Sequence, residues 1–234
     1  FPNPPEIIRG LKQYVEHTAL AYFTPPETYF EAVMGWMKDR HDFSVERDWI
    51  VPYPGIHGAL SVIIEAYSRE GDGAIVLPPT WPGFFDVLER NNRLRVDSPL
   101  VLQGQRYSID YDDFEKKARN PRSKLLLFCS PHNPVGRVWT REELTRVGRI
   151  CLENDVLIVS DEAHSDLVMP GHKHIPFASL SPEIARRTIT CTAPSKTFNL
   201  AGLHTSNVII PDRDLRDRFN AVRARYGTSR PNML

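Results

Sequence analysis

Cysteine is scarce in this sequence. Three occur in 234 residues, Cys129, Cys151 and Cys191, and no two form a C-x-x-C pair. The count is odd, two lie in apolar strand-like runs and one sits beside Val147 and Ile150, which argues against a disulfide framework or a cysteine-built zinc site and for reduced core thiols. Net charge is missing as well: 29 lysines and arginines balance 29 aspartates and glutamates, with no basic run. Nucleic acid and anionic membranes therefore find no electrostatic footprint. No apolar run reaches the ~20 residues that a membrane-spanning helix needs, and residues 1–20 lack a charged leader followed by an apolar core. A soluble, cytoplasmic protein is the expectation. Internal repeats and low-complexity tracts are absent too, and the length suffices for one well-packed domain.

What the sequence does contain is a series of short apolar runs alternating with helical patterns. Residues 74–77, 125–129, 156–160 and 188–192 read as strands, and the alternation is the sequence form of an α/β fold with a doubly wound, mostly parallel sheet. The last three runs each lead to a polar residue: Asn133 in S-P-H-N-P-V-G, Asp161 in S-D-E-A-H and Lys196 in A-P-S-K-T-F-N. These lie 28 and 35 positions apart, the length of successive strand-helix-strand units. Each then falls at the carboxyl end of a parallel strand, the edge where open α/β sheets bind ligands. A lysine held there out of water has a lowered pKa and a free electron pair to attack an aldehyde. A solvated loop lysine is the ordinary alternative.

Around these runs the local signals are specific. Tyr53-Pro54-Gly55-Ile56-His57-Gly58 breaks a short strand at 49–51 into a helix carrying Leu60, Ile63, Ile64 and Tyr67 and stopped by Gly71. Strand, glycine turn and helix start make an anion site, because unpaired N–H groups and the helix dipole both point at the turn. Trp81, in P-P-T-W-P-G, suits either stacking on a flat ligand or packing at the surface of the core. Thr140-Arg141-Glu142-Glu143 is a capping box, and Asp110 caps a helix with Phe114 inward. Near the start, Asn3-Pro4-Pro5 opens a helix whose Ile7, Ile8, Leu11, Tyr14 and Val15 form one apolar face, expected to pack. Tyr29, Phe30, Val33, Met34 and Met37 give the next helix its core positions.

The N-P-V-G after His132, the D-E-A-H at Asp161 and the S-K at Lys196 resemble, in order and spacing, the landmarks of the fold type I pyridoxal-phosphate enzymes, the aminotransferase-like group. The longer stretches S-P-H-N-P-V-G-R-V-W-T, S-D-E-A-H-S-D-L and A-P-S-K-T-F-N-L-A-G-L resemble its bacterial carbon–sulfur lyase branch, the cystathionine β-lyases of the MalY and PatB type. The resemblance covers nearly the whole chain. It implies that residues 1–234 form a cofactor-binding large domain, with an N-terminal segment and a small C-terminal domain outside this chain, the latter carrying the arginine that grips the substrate carboxylate.

The same resemblance implies roles residue by residue. Lys196 bonds pyridoxal 5'-phosphate and moves the substrate's α-proton. Asp161 faces the ring nitrogen, Asn133 donates to the ring oxygen, and His164 stands where many relatives place a tyrosine bonded to that oxygen. Trp81 stacks on the ring, and the backbone N–H groups of Gly55, Ile56 and His57 cradle the phosphate with help from Ser195. Ala193 occupies a place where many relatives use serine, and His204 one where aminotransferases use arginine; His204 is equally readable as a packing residue. Tyr22 reaches the phosphate of a neighbouring subunit, which implies a homodimer. No metal is implied. The activity implied is a β-lyase acting on a small amino-acid substrate and giving pyruvate, ammonia and a thiol. Two alternatives stay open: an aminotransferase, and a non-catalytic regulatory or binding protein on the same fold.

Overall fold

The computed structural model describes residues 2–17 and 24–227. Helices α1 (Pro5–His17) and α2 (Glu27–His41) precede strand β1 (Ile50–Tyr53), α3 (Ile56–Tyr67), β2 (Gly73–Val76), α4 (Gly83–Arg90) and β3 (Leu94–Asp97). A small hairpin, β4 (Val101–Gln103) and β5 (Arg106–Ser108), leads to α5 (Tyr111–Ala118), β6 (Ser123–Cys129), α6 (Arg141–Glu153) and β7 (Leu157–Asp161). The chain continues through α7 (Pro182–Arg186), β8 (Thr188–Thr192), the short α8 (Pro194–Thr197), β9 (Ser206–Ile209) and α9 (Arg213–Arg225).

The main sheet has seven strands in the order β1-β9-β8-β7-β6-β2-β3. Strands β3, β2, β6, β7 and β8 run parallel, β9 is antiparallel to β8, and β1 is antiparallel to β9. Two reversals bring β1 back to the direction of β8, so the chain leaves β1, β2, β6, β7 and β8 at one edge of the sheet. Strand order reverses between β2 and β6, and ligands bind beside such switch points.

The inner strands read as unbroken apolar runs because both faces of the sheet are covered. Along β6, Leu125, Leu127 and Cys129 join the core shared with α3, α4 and α9, while Leu126 and Phe128 point into the core shared with α5, α6 and α7. Strand β7 divides likewise, Val159 to the first and Ile158 to the second. All three cysteines are free and buried. The capping box is made: Thr140 Oγ1 accepts the Glu143 N–H at 3.2 Å, and Glu143 Oε2 accepts the Thr140 N–H at 2.8 Å. Glu143 also pairs with the buried Arg137 at 2.6 Å, which ties the start of α6 to the loop after β6. Asp110 caps α5 through the Asp113 N–H.

Some expectations give way. The apolar stripe of α1 is only partly covered: Ile7, Leu11 and Tyr14 are half-buried, none is fully buried, and Ile8 and Val15 are exposed. The helix after Gly55 stops at Tyr67, before Gly71, and Trp49 belongs to a 3-10 turn ahead of β1. The β4–β5 hairpin went unread because its residues are mostly exposed and carry no apolar alternation. Among the described residues no helix is long and apolar enough to cross a membrane, and no group of His, Cys, Asp or Glu is placed to hold a metal ion.

The capping box predicts that Thr140→Ala costs about 1 kcal/mol. Thermal unfolding followed by circular dichroism should show a melting temperature lower by roughly 2–4 °C.

Candidate active site

The strand ends meet in one cavity of about 270 Å³. Lys196, Asp161, Asn133, His164, Trp81, Gly55, Ile56, His57 and Ser195 all line it, as does His204. Tyr22 lies outside the described residues.

Asp161 closes β7, in register with Cys129 of β6 and Cys191 of β8. It is buried, and its Oδ1 accepts the Ala163 N–H at 3.1 Å. Burial raises its carboxyl to about 6, the Ala163 N–H and the charge of Lys196 pulling against that and Glu162 adding to it. Glu162 next door is fully buried but satisfied, accepting from Ser160 Oγ and the Phe177 N–H at 2.9 Å each and standing 2.9 Å from His174 Nε2. Burial, with Asp161 nearby, pushes the Cys129 thiol up and keeps it protonated.

Asn133 is set by the proline-rich loop after β6. Its backbone N–H points to Cys129 Sγ at 3.3 Å, and its neighbour His132 pairs with Arg137 across the loop and contacts the Pro79 carbonyl at 3.0 Å. Since Pro79 lies just ahead of Trp81, this contact ties the loop after β2 to the loop after β6. The Trp81 ring packs edge-on against Phe84 (5.6 Å) and His57 (5.8 Å). It lies so close over Gly83 that a Cβ there would stand 2.3 Å from the indole.

Gly55, at φ +85°, turns β1 into α3. The first bond of the helix runs from the Ala59 N–H to the Gly55 carbonyl, leaving the amides of Ile56, His57 and Gly58 without partners among the described residues at the positive end of the helix dipole. His57 is exposed and its Nε2 stands 3.1 Å from Asp86, whose carboxyl is held below its usual range by Arg90 first and then by His57. His204, in the left-handed conformation at φ +49°, brings Nδ1 to 3.7 Å from where a Cβ on Gly55 would sit. His57 and His204 both line the cavity with the cradle.

One expectation is corrected. Lys196 is exposed, not desolvated: it sits on α8, a four-residue helix with no buried residue, which lies at the mouth of the cavity beyond the buried end of β8. His164 is half-buried, and burial, then the charge of Lys196, holds its imidazole below the usual value. Sequence reasoning passed over Glu162, Gly83 and Asp166, although the first and last lie inside the quoted S-D-E-A-H-S-D-L stretch. Glu162 bonds His174 and Phe177, and Asp166 bonds Thr197, all distant in sequence; Gly83 meets Trp81 only two residues away, but the approach depends on how the indole folds back.

Residues 2–232 match the family described as aminotransferase class I and II. The chain is 44% identical over 227 residues to a protein named cystathionine beta-lyase PatB from Bacillus subtilis (strain 168), an alignment covering 97% of this chain and 59% of that protein. It is 30% identical over 237 residues to Protein MalY of Escherichia coli (strain K12), covering 100% of this chain and 60% of that one. Among solved structures, cystalysin from Treponema denticola, described as containing a pyridoxal 5'-phosphate cofactor, superposes with a TM-score of 0.95 at 42% identity, over 100% of this chain and 58% of that one. The chain spans about three fifths of the length of these relatives.

The buried carboxyl of Asp161 makes a prediction of definite sign. Its folded value of about 6 lies above the ~3.9 of an unfolded aspartate, so between those limits the folded chain binds more protons than the unfolded one. Stability then falls as pH rises from about 4 to 6, and the full penalty of ~3 kcal/mol is in place at pH 7. Asp161→Asn should raise the melting temperature of the ligand-free protein at pH 7 to 8 and leave it nearly unchanged at pH 4. Equal shifts at both pH values would show that charge burial is not the cause.

Proposed function

Because the chain belongs to the class I and II aminotransferase family, we propose that the full-length protein is a pyridoxal 5'-phosphate-dependent carbon–sulfur β-lyase acting on cystathionine-like amino acids. The products are pyruvate, ammonia and a thiol. The observation that carries the reading is that Lys196, Asp161 and Asn133, from three separate strand ends, line one cavity.

The residues present fit that cofactor. A buried carboxyl raised to about 6 is suited to a protonated ring nitrogen, the unpaired amides at the start of α3 are suited to a phosphate, and the lysine at the mouth offers an amine. When bound, pyridoxal phosphate supplies an aldehyde that joins amines and a ring that takes up the electron pair released at the substrate's α-carbon.

The chain's own groups do the rest. Lys196 Nζ would hold the cofactor's aldehyde and, as a free amine, would serve as the base for the substrate's α-proton. The Asp161 carboxylate keeps the proton on the ring nitrogen. The Asn133 amide and the neutral His164 imidazole, held below its usual value by its surroundings, donate to the ring oxygen. Trp81 would cover a ring face of the cofactor, and Gly55, Ile56 and His57 would offer backbone N–H groups and Ser195 a hydroxyl to its phosphate.

Residues 1–234 form the cofactor-binding large domain on this reading, and the remaining length supplies a smaller domain with the arginine for the substrate carboxylate. The protein works in the cytoplasm as a homodimer, with Tyr22 completing the neighbour's phosphate pocket. The family's own description favours a second reading, an aminotransferase.

Products separate the two. The full-length protein given cystathionine without a keto-acid acceptor should release pyruvate and a thiol; strict dependence on an acceptor replaces the lyase with a transaminase. Lys196→Ala should abolish the borohydride-trapped adduct with pyridoxal phosphate, and an adduct on another lysine would sink the site assignment.

A further inference from the structure

A carboxylate outside the cavity ties the turn that carries Lys196 to the loop that leaves Asp161. Asp166 accepts from Thr197 Oγ1 at 2.6 Å and from Trp36 Nε1 at 3.2 Å, and its Oδ1 stands 3.0 Å from His41 Nε2. Helix α2, the loop after β7 and α8 therefore meet at one side chain, itself only 9% exposed. Behind it, the His41 ring packs edge-on against His174 at 5.4 Å, and His174 is bonded to Glu162, the neighbour of Asp161. Burial works to raise the Asp166 carboxyl, but His41 beside it and the bonds from Thr197 and Trp36 outweigh it and hold the group below its usual range. Asp166 is thus a charged acceptor, and hydrogen bonds to charged groups are the stronger kind.

The turn needs such a hold. Helix α8 is four residues long, buries none of them and has no side-chain cap, and so short a helix has little stability of its own. Asn3 Nδ2 supplies a second tie, donating to the carbonyls of Phe198 and Asn199 at 3.1 and 2.8 Å. Lys196 lines the cavity on one side of this turn; Thr197, the next residue, is gripped on the other.

We infer that Asp166 is a positioning residue for Lys196: by holding the Thr197 hydroxyl it fixes α8 so that the lysine amine is presented to the cavity beside Asp161. The inference rests on the reading of Lys196 as the residue that bonds pyridoxal phosphate, a step in which the amine adds to the aldehyde carbon and water leaves. Asp166 touches neither reactant.

The test follows adduct formation, not turnover. Full-length protein stripped of cofactor is mixed with pyridoxal phosphate, and the adduct at Lys196 is timed by visible absorbance and located by mass after borohydride reduction. Thr197→Val, which keeps the shape and removes the donor, and Asp166→Asn should form it more slowly by up to about 10²-fold, with melting temperatures close to that of the wild type. Thr197→Ser, which retains the hydroxyl, should recover the wild-type rate. A wild-type rate in folded Thr197→Val overturns the inference, and so does an equal loss in Thr197→Ser. Loss of the fold in both Thr197→Val and Asp166→Asn overturns it too, since the bond then supports the domain and not the turn. If the wild type places no adduct on Lys196, the reading of the site fails first, and the two failures are told apart by that control.

Discussion

Two carboxylates, Asp161 and Glu162, are buried side by side at the end of β7, and an ionised group taken out of water is expensive unless it is paired. The chain answers this demand in two opposite ways. Glu162 receives a hydroxyl, a backbone N–H and an imidazole, each at 2.9 Å, and with those partners it serves as a fixed anchor between β7 and the segment leading to α7. Asp161 is given one backbone N–H and the charge of Lys196. The same burial with fewer partners leaves it seeking a cation, and the cavity opens over it and not over its neighbour. Perturbed acids concentrate at functional sites for this reason.

The sheet's topology makes the rest of the site inexpensive to assemble. The strands that carry the site end at one edge, so each loop needs to carry only one or two groups a short distance, and the loops are pinned to one another before any ligand arrives. His132 pins the Asn133 loop to Pro79, Glu143 pins its far end to the start of α6 through Arg137, and Asp166 pins α8 to α2. The first and last of these reach between elements remote in sequence, which is what holds a site on loops to the precision expected of one built on strands.

How much of this was legible beforehand follows from which forces are local. Strands buried on both faces must be continuously apolar, so β6, β7 and β8 were readable, and the residues just beyond them had to fall at one edge because parallel strands share a direction. The capping box and the Asp110 cap were readable because they are closed within four residues. The exposure of Lys196 was not, because the run before it gives the depth of β8 and says nothing of how far α8 stands clear of it. The half-covered face of α1 is a similar case: periodicity fixes which side is apolar, and only the whole fold decides how much of it is covered. The Asp166–Thr197 and Glu162–His174 bonds depend on chain segments brought together by the fold, and no spacing rule encodes them.

Gly83 and Trp81 behave as a single unit of sequence. With only a hydrogen at 83, the indole can lie where it does; any larger residue there meets the ring at 2.3 Å and drives it toward the cavity or out into solvent. Variation at the two positions is therefore path-dependent. A smaller ring at 81 must come before any side chain at 83, and the reverse order passes through a chain whose pocket wall is displaced. Lineages that differ in the aromatic residue over this cavity have more room to change at 83 where the ring at 81 is smaller.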